Sequence, residues 1–155
     1  MKKAILFTAL CLPVLVFIFL KIFGRNEFDV PVYYSEGVNR DIPGCRSYPS
    51  PYVVPDSALN AWGWTKAKAT LIIVNGNGVE KNLARVADLF GENDYATLKL
   101  ADPSYEVRTC MLLAGDSSRV VMIDDKKQIR GYYTPTTDKE TDRLGVELRI
   151  LLKQY

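Results

Sequence analysis

Histidine is absent from the 155 residues, and cysteine occurs only at Cys11, Cys45 and Cys110. Without imidazole, Ser-His-Asp and Cys-His catalysis are excluded, as is every metal site built on histidine. There is no strong excess of one charge: the formal net charge is +2. Lys2, Lys3, Lys21 and Arg25 lie in the first 25 positions, which hold no acid, so the rest of the chain carries 16 basic and 18 acidic residues. No basic patch interleaved with aromatics is present, and nucleic acid is not an expected partner. No nucleophile stands beside a plausible base and no pair of carboxylates is visibly placed for acid–base work, so the chain does not read as an enzyme.

What the sequence does hold, with 48% hydrophobic and 25% charged residues, is enough for one packed domain. Residues 1–25 are the first feature. Ala4 to Leu20 is an unbroken apolar or weakly polar run, continued by Ile22 and Phe23, and close to the roughly 20 residues needed to cross a bilayer. Lys2 and Lys3 precede it and no A-x-A site follows, which predicts a retained single-pass anchor with a cleaved signal peptide as the alternative. The short basic start is expected to stay inside and the remainder to be exported, placing the domain in the periplasm of a bacterial inner membrane. The lipid bilayer is then one partner.

Residues 26–60 are rich in turn formers, among them Pro31, Gly37, Pro43, Gly44, Pro49, Pro51 and Pro55. They read as a linker and an extended arm, with short strands at Val30–Tyr34 and Tyr52–Val54. Residues 61–155 alternate. Thr70–Val74 is a β-branched run typical of a buried strand. Asn75-Gly76-Asn77-Gly78 is a turn. Val79, Leu83, Val86 and Phe90 share a helical face that Gly91 ends. Tyr95–Leu100 is a second strand and Ser104–Leu113 a helix with Ser104 as its N-cap. Arg119–Ile123 and Ile129–Tyr133 form a hairpin around Asp124–Gln128. Thr137 and Glu140 make a capping box that opens a helix through Lys153. The order β-α-β-α-β-β-α predicts an α/β, thioredoxin-like fold with a mixed central sheet between helices.

With that order in view, Ile129-Arg130-Gly131-Tyr132-Tyr133, preceded by Val120–Asp124 and followed by Thr137-Asp138-Lys139-Glu140, resembles the C-terminal part of SCO/SenC proteins. Those are membrane-anchored, thioredoxin-fold copper chaperones of cytochrome oxidase assembly. Tyr52–Asp56 is similar to the family's entry strand, and Leu83–Val86 to its first helix. Phe28–Tyr34 with the anchor is similar to short Bacteroidetes-type members. The resemblance implies a Cys-x-x-x-Cys pair between the first strand and first helix, but Asn75, Gly76, Asn77 and Gly78 stand there. It implies a copper-binding histidine just before the third strand, but Asp116 and Ser117 stand there. Copper(I) prefers thiolate and imidazole, and neither is offered. The expectation is a degenerate member with no metal or other cofactor, acting on a protein partner in the membrane or periplasm, associated with the respiratory oxidase.

Cys45 and Cys110 leave three readings open. They are a relocated copper or redox pair, which would make the chain a divergent copper-handling or thiol-disulfide protein. They are a structural disulfide, as an oxidising compartment allows. Or they are unpaired, with Cys110 a small buried hydrophobe beside Met111, Leu112 and Leu113, the reading favoured for it. Trp62 and Trp64 either anchor a partner or cover the sheet. Asp124, Asp125 and Asp138 have no calcium-loop spacing and read as a turn and a helix start.

Overall fold

The computed structural model describes residues 11–19, 21, 29–91 and 94–153. Residues 11–19 are helical, with exposed apolar side chains from Leu12 to Phe19. Among the described residues no helix is long and apolar enough to cross a membrane. The rest of the expected anchor lies outside them.

The architecture is α/β. Helix α1 (Asp56–Ala61) precedes β1 (Ala69–Ile73), α2 (Glu80–Ala87) and β2 (Ala96–Lys99). A π-helix (Glu106–Met111), β3 (Val120–Asp124), β4 (Ile129–Tyr133) and α3 (Asp138–Leu152) follow. The sheet order is β2-β1-β3-β4, with β1 parallel to β2 and β3 antiparallel to both β1 and β4. β1 and β3 are buried at every position, which fits the unbroken apolar stretches Leu71–Ile73 and Val120–Ile123 in place of alternation.

Two hydrophobic layers flank the sheet. On one face Leu71, Val120, Met122 and Tyr133 pack against Val86 of α2 and Leu144 and Leu148 of α3. On the other, Ile72, Val121, Ile123 and Ile129 pack against Leu59 of α1, Leu112 and Tyr52. Each such side chain removed from water contributes about 1.5–3 kcal/mol. α3 begins as expected, with the Thr137 hydroxyl accepting from the Glu140 N–H, and ends at Lys153 in the left-handed region.

Three expectations are corrected. Val30–Tyr34 and Tyr52–Val54 are not strands. They bond to the β3–β4 hairpin singly, Tyr33 N–H to Ile129 O of β4 at 2.9 Å and Val54 N–H to Lys127 O of the turn at 3.0 Å. Pro31, Pro51 and Pro55 lack the N–H groups a ladder needs. The segment Ser104–Leu113 is a π-helix over residues 106–111, not an α-helix; Leu112 N–H bonds back five residues to Val107 O at 3.0 Å. Helix α1 was not expected, although Asp56 in its first turn and the buried Ala58-Leu59 pair are helix-start signals.

Strand β4 carries a bulge. Met122 pairs with Gly131 but Ile123 pairs with Ile129, so Arg130 is the extra residue. The bulge lets Ile129 and Tyr132, three apart, face the same layer, and turns Arg130 toward the arm.

Candidate functional site

The turn after β1 is held from three directions. The Asn75 side chain accepts from the Asn77 N–H at 3.0 Å, an Asx turn. The backbone N–H groups of Val74 and Asn75 both donate to Arg119 O, at 2.8 and 3.2 Å. The Arg119 guanidinium donates to Asn77 O. Gly78 has φ +74°, which a side chain disfavours, and the next residue, Val79, is fully buried. Together these fix the start of α2.

Asp116 and Ser117 form the exposed turn leading into β3. Because β3 runs antiparallel to β1, this turn comes to the same sheet end as Asn75–Gly78. Arg108 of the π-helix links the two regions. Its guanidinium donates to Asp116 O at 3.2 Å, and it lines a cleft of about 380 Å³ with Asn75, Gly76, Asn77, Glu80 and Lys99. The structure therefore brings together the two places where the resemblance implies a metal site. They meet at the carboxyl ends of the parallel strands, a usual position for ligand clefts in such sheets. The cleft offers the cations Lys99 and Arg108, the carboxylate of Glu80 and the amide side chains of Asn75 and Asn77, but neither thiol nor imidazole. Gly76 matters here for space: a Cβ would come within 3.0 Å of Glu80 Oε1.

The sequence did not point to Lys99, Arg108 or Arg119, which come from three separate segments. Only the fold places them at one end, although Arg119 directly precedes the third strand.

Cys45 and Cys110 are joined in a disulfide, with Cα atoms 5.4 Å apart at a sequence separation of 65. This corrects the reading of Cys110 as an unpaired buried thiol. Its side chain is half-buried, and the bulk of the neighbouring core is Leu112 and Leu113. The bridge fastens the arm to the π-helix and borders a second cleft of about 560 Å³, walled by Tyr48, Pro49, Tyr52, Pro55 and Tyr105. Tyr52 and Tyr132 hold the end of the π-helix. Tyr52 Oη donates to Met111 O at 2.5 Å, and Tyr132 Oη to Leu112 O at 2.9 Å. Burial pushes both phenols well above the ordinary tyrosine range.

The two tryptophans cover the sheet. Both are half-buried against its arm-side layer, and Trp64 Nε1 donates to the buried Thr70 hydroxyl at 2.9 Å. Asp124 Oδ1 accepts from the Lys126 and Gln128 N–H groups, both at 2.9 Å, and closes the hairpin turn. Asp138 pairs with Arg85 at the start of α3. Among the described residues no group of three or more His, Cys, Asp or Glu is placed to hold a metal ion.

Comparison with protein-family models, with curated proteins and with solved structures finds no match to this chain.

Proposed function

We propose that this chain is a membrane-tethered, extracytoplasmic domain of thioredoxin-like fold and SCO type. It works without a redox or copper site at the Asn75–Gly78 loop, as a binding or assembly factor associated with the respiratory oxidase. The observation that carries the reading is the convergence of the Asn75–Gly78 loop and the Asp116–Ser117 turn at one sheet end. That is where a metal-holding relative would need its cysteines and histidine. The strand order, with β1 and β2 parallel and β3 reversed, supports the same fold. With Lys99, Arg108 and Glu80 lining it, the cleft suits a polar, charged contact with a protein rather than metal coordination. The exposed apolar helix at residues 11–19 and the uncharged run around it support the tether.

The test is a deletion strain in which oxidase level and activity are compared with the parent. A drop restored by the full chain, and not by a chain carrying Lys99→Glu and Arg108→Glu, supports the reading. Unchanged oxidase removes the oxidase association.

A further inference from the structure

Besides the disulfide, the arm meets the end of the π-helix through buried Ile42, which shares a hydrophobic layer with Leu112 and Leu113, and through hydrogen bonds of uneven length. Tyr52 Oη reaches Met111 O, but Arg40 Nη2 to Leu113 O and Tyr105 Oη to Pro43 O are both long, at 3.4 Å. Both cysteines are half-buried rather than enclosed, and the aromatic and proline-walled cleft of about 560 Å³ opens onto them. The π-helix that carries Cys110 also carries Arg108, two residues earlier, which donates to Asp116 O and lines the other cleft. A π-helix is a rare, wide turn, frequent at functional sites, and this one is clamped by the bridge at its last turn.

We propose that the Cys45–Cys110 bridge is a thiol–disulfide exchange site for a dithiol protein, and that opening it frees the arm loop and shifts Arg108. The Tyr48, Pro49 and Tyr105 walls would receive the partner's cysteine-bearing segment. A partner thiolate attacks Cys110 Sγ, the sulfur–sulfur bond breaks, and Cys45 leaves as a thiolate that takes up a proton. Arg46, adjacent to Cys45 and lining the same cleft, favours that leaving thiolate. The partner's second thiol, losing its proton, then displaces Cys110 from the mixed disulfide. Two electrons and two protons pass to Cys45 and Cys110, and the partner departs as a disulfide. The consequence is a redox signal carried along one short helix from the arm to the Arg108 cleft.

The experiment uses the full chain in detergent micelles, without denaturant, titrated with dithiothreitol as the probe dithiol. Free thiols are trapped with a maleimide and located by mass spectrometry, and hydrogen exchange is followed in parallel. The expected result is labelling of Cys45 and Cys110 in the folded protein. Amide exchange should become about tenfold faster over residues 39–49 and 106–116, with β1, β3 and α3 still protected. Labelling that appears only when β1 and β3 also lose protection would make the bridge a purely structural staple and overturn the proposal. So would full reduction with unchanged exchange over 106–116.

Discussion

Arg130 and Asp124 form an ion pair across the β3–β4 hairpin, Nη1 to Oδ2 at 3.3 Å, with side chains 8% and 6% exposed. Asp124 spends its other oxygen on the turn, and Arg130 also donates to Asp29 and to Val30 O. One bulged residue thus ties the arm's first described segment to the hairpin. Removing one member of a buried pair strands the other charge, at a cost of about 3–5 kcal/mol. Arg130→Ala is expected to lower the urea unfolding free energy by about that amount and to expose residues 29–34 to proteolysis. Arg130→Met with Asp124→Asn, which removes both charges, should recover part of the loss. A single Arg130→Ala change costing less than about 1 kcal/mol would show that the pair does not hold the arm.

Gly131 lies beneath the Tyr133 ring, and an added Cβ would overlap that ring. The ring has no room to retreat. It is 1% exposed, its hydroxyl donates to Glu147 at 2.5 Å, and the Arg143 guanidinium sits 4.7 Å from its centroid. Gly131→Ala is therefore expected to destabilise the domain by about 2 kcal/mol through overpacking. Tyr133→Leu in the same chain should relieve most of the clash. Thermal unfolding of the single and double variants checks this, and additive losses would show that the two residues do not compete for space.

These two residues also show how far the sequence could be read. The stretch Ile129–Tyr133 was legible as the second half of a hairpin because two β-branched or aromatic runs flank a polar turn. Its bulge was not, because nothing in the alternation of Ile129, Arg130 and Gly131 signals that Arg130 is skipped in the pairing. β1, β3, α2 and α3 were legible because their apolar periods and the Thr137–Glu140 box are local. The arm and the π-helix depend on partners far away in sequence: Tyr52 and Tyr132 supply hydroxyls to carbonyls 59 and 20 residues distant. The Cys45–Cys110 bridge is a tertiary fact of the same kind, since pairing needs neighbouring Cα atoms. The loop and turn positions of the candidate site could be named from the sequence. The cations around them could not, because Lys99, Arg108 and Arg119 share no segment.

Thr137 sits in extended geometry at the N-cap of α3, where its side chain accepts from the Glu140 N–H and its backbone O accepts from the Thr141 hydroxyl at 2.8 Å. Thr137→Ala removes the cap and should cost about 1 kcal/mol. Thr137→Asp keeps an acceptor and adds a charge favourable at a helix start, so it should match or exceed the parent. Chemical denaturation of both variants decides it. Equal losses for Ala and Asp would mean that the cap contributes nothing.

Alkali should unfold this domain through three buried phenols. Burial raises Tyr52, Tyr132 and Tyr133 well above the ordinary tyrosine value of 10.0, and for Tyr133 the hydrogen bond to Glu147 adds to it. The sign follows from which state holds the proton. Below pH 10 both the folded and unfolded chains keep these phenols neutral, so their contribution is fully present. Above it the unfolded chain loses the protons while the folded chain retains them, and stability falls as pH rises. The urea midpoint is therefore expected to drop steeply above about pH 10, with tyrosinate absorbance appearing only as the domain unfolds. Tyr132→Phe removes one titrating group and should flatten the decline by about 1.4 kcal/mol per pH unit, at the cost of the bond to Leu112 O at neutral pH. Tyrosinate absorbance rising with all nine tyrosines near pH 10, in a chain still folded, would contradict the burial of these three.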